Sequence, residues 1–367
     1  MAEKPASKPK AASPGQPQRK TTSAAPRRQP EPVILQVEPY GGSTRLHNPA
    51  LPLVFWDDFA VTRGEGVFET LLIREGEAKN LDRHLARFAA SAKLLGLPAP
   101  SSELWRRATA EAAAAWNERS EDDASCVWTL SRGRASTGHL TAWISVKPVS
   151  ERQLEQREHG VKVMCAPRGY RVQPVADSGA PLGASQLPGG DLGDGAGQPG
   201  GAKQSAGSSD QGGATAQSQS QGQGITASAP WLILGAKTLS YAANMAAQRY
   251  AQEHGFDDVI WVESGRVLEG ATSTVLAFFG KTVVTPPANG DILPGTTQAA
   301  VFERAERKGW RCEQRELTVE ELEEAESVWL VSSVRIAARV TQLNNLAKPA
   351  PENEDKVRRL IVKAIAK

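Results

Sequence analysis

Apolar and polar residues begin to alternate at Val33-Ile34-Leu35-Gln36-Val37, a pattern that predicts a short strand. A second alternating run, Gly66 to Ile73, follows glycines at 64 and 66, so a tight turn feeds a strand that Glu75-Gly76-Glu77 closes as a hairpin. Leu81, Leu85, Phe88, Ala92 and Leu95 then fall on one helical stripe, with Gly96 as its stop. Another helix, rich in alanine, is predicted from about Ser102 to Arg119. Cys126 to Ser131 and Leu140 to Val146 alternate as half-buried strands should, and Val161 to Cys165 reads as the strand leading out of this first domain.

A new apolar run at Trp231-Leu232-Ile233-Leu234 ends near Lys237, directly before a helix-like segment. A hairpin is expected at Ser264-Gly265, then the short strand Val267-Leu268 leading to Glu269 and a Gly-Ala-Thr-Ser-Thr turn. Beyond it the pattern predicts a buried strand at Thr274 to Phe279, the segment Lys281 to Pro287, a helix from about Thr297 to Lys308, and a strand at Cys312 to Leu317. An acidic helix at Val319 to Glu324, a strand at Ser327 to Val331, the run Val334 to Val340 and a closing helix at Asp355 to Ala366 complete the order.

Two stretches carry no such pattern. Met1 to Glu31 is Pro, Ala, Lys, Arg, Ser and Gln, and Gln173 to Ala229 is rich in Gly, Ser and Gln without one aromatic residue. Neither can bury enough surface to offset the entropy of ordering, so a disordered basic tail and a flexible insertion are expected. The chain therefore divides into 1–31, a small α+β domain at 32–169, the insertion 170–229 and a larger C-terminal domain at 230–367.

Length and composition narrow the classes. The 367 residues, 40% hydrophobic, allow two ordinary domains, and a formal charge of +2 gives no argument for nucleic acid. Three cysteines without metal-like spacing fit a reducing compartment. No N-terminal signal core and no run near the roughly 20 apolar residues of a membrane helix is found, so a cytosolic protein without membrane partners is expected.

Candidate chemistry centres on Lys237 and Glu269. Taken singly, they read as a snorkelling lysine and a hydrated hairpin carboxylate. Together, a strand-edge lysine, a helix, a hairpin and a carboxylate followed by small residues are what a pyridoxal phosphate site needs. Gly295-Thr296-Thr297 leads into a helix, which leaves free amides for an anion or marks simple N-capping by a threonine. Arg132 and Arg134, on a loop between two strands, either hold substrate carboxylates or are hydrated, and the same choice is open for Arg335 and Arg339.

These segments resemble the class IV, or fold-type IV, pyridoxal-phosphate enzymes: branched-chain aminotransferases, D-amino-acid aminotransferases and 4-amino-4-deoxychorismate lyases. The matching motifs are Gly235-Ala236-Lys237-Thr238, Glu269-Gly270, Arg63-Gly64-Glu65-Gly66-Val67-Phe68-Glu69-Thr70 with Glu65 where aspartate is usual, Arg83-His84-Leu85-Ala86-Arg87, and Leu293-Pro294-Gly295-Thr296-Thr297-Gln298 with Gln298 replacing the more usual arginine. The resemblance implies an α/β fold with a small α+β domain and a large pseudo-barrel domain, pyridoxal 5'-phosphate as cofactor, and a homodimer whose sites are completed across subunits. It implies that Lys237 carries the cofactor, Glu269 holds the pyridine proton, Tyr241 meets the phenolic oxygen, and Arg87, Thr296, Thr297 and Ser333 anchor the phosphate. Phe68, Arg132 and Arg134 become the substrate contacts, and His84 is read as structural. Lys237 to Arg249 and Ser131-Arg132-Gly133 look most like actinobacterial deoxychorismate lyases, whose substrate amine is 4-amino-4-deoxychorismate. An aminotransferase of the same family and a catalytically silent binding paralogue are the alternatives.

Overall fold

The computed structural model of the protein describes residues 29–169 and 233–365. The expected insertion, the expected tail up to residue 28, and Trp231 and Leu232 of the apolar run lie outside the described residues.

The first half folds as the alternation predicts, into β1 (Val33–Val37), β2 (Thr44–His47), β3 (Gly66–Arg74), β4 (Glu77–Ala78), β5 (Ala124–Ser131) and β6 (Thr141–Pro148). These form one antiparallel sheet in the order β2-β1-β6-β5-β3-β4. A single turn, α1 (Phe59–Thr62), precedes β3, while α2 (Leu81–Leu94) and α3 (Ser102–Asn117) pack on the sheet. Ser101 caps α3 by accepting the Leu104 N–H. The predicted stripe of α2 turns inward: Phe88 meets Trp105 of α3 and Trp128 of β5 edge-on, at centroid distances of 4.8 and 5.6 Å. Burying aromatics of this size contributes about 2–3 kcal/mol each, so this trio is the anchor of the first core.

The second half comprises α4 (Glu151–His159), β7 (Val161–Pro167), α5 (Ala242–Glu253), β8 (Asp258–Glu263), β9 (Arg266–Gly270), β10 (Thr274–Phe279), β11 (Thr282–Thr285), α6 (Thr296–Arg307) and β12 (Arg311–Gln314). It continues with α7 (Val319–Glu324), β13 (Ser327–Ser332), β14 (Ile336–Leu343), β15 (Leu346–Ala347) and α8 (Glu354–Ala364). Its nine strands run β12-β11-β10-β13-β14-β7-β8-β9, with β15 on β14. Both faces of the central strands are apolar. Leu276, Phe278 and Trp329 join the core that contains residues of α6 and α8, whereas Val275, Ala277, Val328 and Leu330 join the core that holds Leu322 of α7. A sheet buried on both sides reads as continuous apolar runs, which is why these segments lack the alternation of the first half. The Ser264-Gly265 hairpin is present, with both residues at positive φ (52° and 79°), as a tight two-residue connection requires.

Two sequence boundaries move. β7, expected to end the first domain at 169, is hydrogen-bonded between β14 and β8, so it belongs to the nine-stranded sheet. Lys237 was expected at a strand edge after the apolar run, yet among the described residues it joins no strand of that sheet. Instead, the Phe68 N–H donates to the Lys237 carbonyl at 3.0 Å and the Leu239 N–H to the Gly66 carbonyl at 2.9 Å, with a bridge between Val67 and Thr238. The reason is an open edge: β4 pairs only with Ile73 and Arg74, leaving the first residues of β3 with unanswered backbone groups.

Close approach at this junction needs Gly66, where a Cβ would meet Leu239 Cδ1 at 2.6 Å and the Leu130 carbonyl at 2.8 Å. Gly66→Ala is expected to push residues 237–239 off the edge and cost about 1–3 kcal/mol by overpacking, read as a lowered denaturation midpoint.

Candidate active site

A cavity of about 500 Å³ opens between the two sheets. Phe68 and Arg87 reach it from β3 and α2, Lys237 and Tyr241 from the segment joined to β3, and Glu269, Thr296, Thr297 and Ser333 from the second half. Arg132 and Arg134 do not line it. Arg132 pairs with Glu65 and donates to the Leu95 carbonyl at 2.7 Å, and Arg134 pairs with Asp57 at 3.0 Å while stacking 4.0 Å over the Phe55 ring. Two acidic residues on neighbouring loops thus decide where the arginines point. Arg339 is held by Glu354 at 3.0 Å and the Lys348 carbonyl at 2.8 Å, whereas Arg335 borders the cavity, paired with Asp258 at 2.7 Å.

The most ordered part of the site is built on Glu69, a wholly buried carboxylate of β3. Its Oε1 accepts Arg87 Nε at 2.7 Å, and its Oε2 accepts both Arg87 Nη2 and His84 Nδ1 at 2.7 Å. Arg87 Nη1 donates onward to the Pro294 carbonyl at 2.7 Å, which ties α2 to the lead into α6. Burial opposes the charge on Glu69, but the Arg87 guanidinium and the hydrogen bonds from Arg87 and His84 hold its carboxyl down to about 2. Burial also lowers the His84 imidazole, so it is neutral. Because ionised Glu69 only accepts, the His84 proton sits on Nδ1, and Nε2 accepts from a hydroxyl: Ser333 Oγ lies at 3.2 Å and Thr296 Oγ1 at 3.4 Å. One acceptor can engage only one of the two, and the hydroxyls of Thr296 and Ser333 lie 3.5 Å from each other, so the second can bond to the first.

Lys237 and Glu269 face the same space with unusual acidities. Burial first, and the Arg87 charge second, bring the Lys237 amine down to about 8. Its Nζ lies 4.2 Å from the Phe68 ring centroid and 3.5 Å from the Tyr241 hydroxyl. Burial pushes Glu269 up to about 7, partly offset by the Leu293 N–H that donates to Oε2 at 3.4 Å and by Lys237. Burial likewise pushes the Tyr241 phenol up to about 12, so it is a proton donor at neutral pH.

These residues fit pyridoxal phosphate. Among the described residues the buried Thr297 hydroxyl has no partner, and Gly295, the N-cap of α6, supplies no side-chain cap, so the first amides of that helix remain available to an anion beside Arg87, Thr296 and Ser333. The role of Glu69 and the contact of His84 with the cavity-lining hydroxyls of Thr296 and Ser333 are what motif reading missed. The available signal was an acidic residue at an inward position of a strand, facing a histidine and an arginine three residues apart on a helix.

The family model described as Amino-transferase class IV matches residues 66–175 and 214–343, so it spans both halves of the cavity. The chain belongs to the class IV aminotransferase family. A Mycobacterium tuberculosis protein named bifunctional aminodeoxychorismate lyase / D-amino acid transaminase is 37% identical over 309 residues, 82% of this chain and 89% of that protein. Among solved structures, a hypothetical aminotransferase from the same organism in its PLP-bound form is 34% identical with a TM-score of 0.73, covering 91% of this chain and 99% of that one. A fold IV transaminase from Curtobacterium pusillum is 33% identical with a TM-score of 0.72, covering 92% and 100%. A Pseudomonas aeruginosa 4-amino-4-deoxychorismate lyase, at 19% identity and a TM-score of 0.61, shows the shared fold alone.

Two pH responses follow from the electrostatics of this class IV site. Glu69 ionises near 2 when folded against 4.5 as a free side chain, so its contribution, on the order of 3 kcal/mol, is complete above pH 4.5 and is lost as pH falls towards 2. In Glu69→Gln that part of the acid limb disappears from chemical-denaturation stabilities measured across the range. Capture of pyridoxal phosphate by the cofactor-free protein needs the neutral Lys237 amine. Its stopped-flow rate is therefore expected to rise about tenfold per unit at lower pH and to level off above about 8.

Proposed function

We propose that the protein is a 4-amino-4-deoxychorismate lyase that releases pyruvate and 4-aminobenzoate, the latter for folate biosynthesis. The carrying observation is the placement of a half-buried lysine with a lowered pKa beside Phe68, opposite Glu269, in a chain whose relative over 82% of its length is named for this activity. Pyridoxal 5'-phosphate is the cofactor of this class IV enzyme, and when bound it supplies an electron sink for the carbon that carries the substrate amine. Arg87, Thr296, Thr297, Ser333 and the first amides of α6 would hold its phosphate, Tyr241 its phenolic oxygen, and Glu269 its ring nitrogen, where a carboxylate favours the protonated form.

With the cofactor and substrate in place, Lys237 would be the base that takes the C4 proton of the ring. Its pKa of about 8 leaves on the order of a tenth of the amine neutral at pH 7, far more than an ordinary lysine keeps. Loss of pyruvate then makes the ring aromatic, which drives the reaction. The Phe68 ring forms an apolar wall for the substrate, and its edge contact with Tyr241, at 5.2 Å between centroids, orients the phenol.

Amino transfer between D-amino acids and 2-oxo acids is the second reading, favoured by the other half of the same relative's name. It uses the same lysine to move a proton within a bound amino acid. We place the enzyme in the cytoplasm as a homodimer, supported by three free cysteines and by the exposed Leu51, Phe55 and Trp56. In such a dimer the loop carrying Arg132 and Arg134, which does not reach its own cavity, serves the neighbouring one.

A paired assay tests the choice. With cofactor-loaded protein, 4-aminobenzoate and pyruvate are expected from aminodeoxychorismate, and Lys237→Ala is expected to lower the rate about 10²–10⁴-fold. Transfer from D- or L-amino acids without 4-aminobenzoate would overturn the lyase reading and leave the aminotransferase.

A further inference from the structure

We propose that Ser91 is a positioning residue for the Lys237 main chain, so that helix α2 sets the spacing between the phosphate anchor and the cofactor lysine. Ser91 is 1% exposed, and its Oγ accepts the Lys237 N–H at 3.0 Å across 146 positions of chain. The Lys237 carbonyl is taken by the Phe68 N–H at 3.0 Å. Both main-chain groups of the lysine are therefore tied to the six-stranded half, and only its side chain extends towards Tyr241 and Glu269.

The three polar residues His84, Arg87 and Ser91 are spaced three and four apart, which puts them on one face of α2. The first two serve Glu69 and the hydroxyl cluster, and the third holds the lysine. Four residues of α-helix rise about 6 Å, a rigid interval. The segment that bears Lys237, from Ile233 to Tyr241, forms no helix or regular strand and could not keep such an interval by itself. Without the Ser91 oxygen the part-buried Lys237 N–H loses its acceptor, and one of the two ties of that residue is gone.

The inference rests on Lys237 as the cofactor lysine and is independent of which reaction follows. Its test compares two ligands on cofactor-free wild type, Ser91→Ala and Ser91→Thr: pyridoxal phosphate, whose aldehyde links to a lysine, and pyridoxamine phosphate, which cannot link. Ser91→Ala is expected to weaken pyridoxal phosphate roughly tenfold, the size of one lost hydrogen bond, while pyridoxamine phosphate stays within about twofold. It is also expected to shift the pH at which the lysine-linked absorbance band titrates, and Ser91→Thr, which keeps a hydroxyl, restores both. Equal weakening for both ligands, or none for pyridoxal phosphate, overturns the proposal. Lys237→Ala separates the two possible failures. It should erase the difference between the ligands, and if it does not, the lysine assignment falls and the role of Ser91 with it.

Discussion

Glu69 is ionised with no exposed surface, and a carboxylate survives there only while its oxygens are answered by charge and hydrogen bonds. Arg87 and His84 supply that answer, and in doing so they lose their freedom: the guanidinium is locked in a plane and the imidazole in one tautomer. The third nitrogen of Arg87 then fixes the Pro294 carbonyl just ahead of α6, and Nε2 of His84 selects between two hydroxyls from two different elements. One desolvated charge thereby orders groups from β3, α2, α6 and the turn after β13. Pre-ordered donors of this kind stabilise an anion without the reorganisation that a mobile arginine would need.

The lysine is governed by a different constraint, the unfinished edge of β3. A strand whose neighbour stops after two residue pairs exposes backbone donors and acceptors, and residues 237–239 satisfy them. The connection explains how a segment without regular structure can present a half-buried amine beside an aromatic ring. Burial makes that amine less basic, and the same dry environment makes Glu269 harder to ionise. A cationic ring nitrogen next to Glu269 would reverse the second effect.

Much of this architecture is written in local patterns. The α2 stripe, the Ser264-Gly265 hairpin and the continuous apolar runs of β10 and β13 each follow from residue spacing, and the motif residues from Arg87 to Ser333 converge on one cavity. What could not be read depends on pairings between distant segments. Alternation shows that Glu69 points inward but not that a histidine and an arginine await it. The adoption of Lys237 by β3 depends on the shortness of β4, a property of a third segment. Arg132 and Arg134 carry the same charge in any reading, and only the positions of Glu65 and Asp57 turn them from the cavity. β7 was misassigned because an apolar strand has no local mark of which sheet will take it.

The cavity draws its wall from two sheets with their own apolar cores, one built round Phe88, Trp105 and Trp128 and the other round the two faces of the β10–β13–β14 ribbon, with Leu72 of β3 packed into the second. The lysine backbone is tied to the first sheet, whereas the carboxylate at 269 and the threonines of α6 belong to the second half. A molecule bound at once to both is a cross-link, and its binding free energy adds to the cohesion between the cores instead of to either core alone. A cofactor held by residues of both sheets would therefore act as a rivet as well as a reagent, strengthening a seam that Arg87 and Pro294 already close.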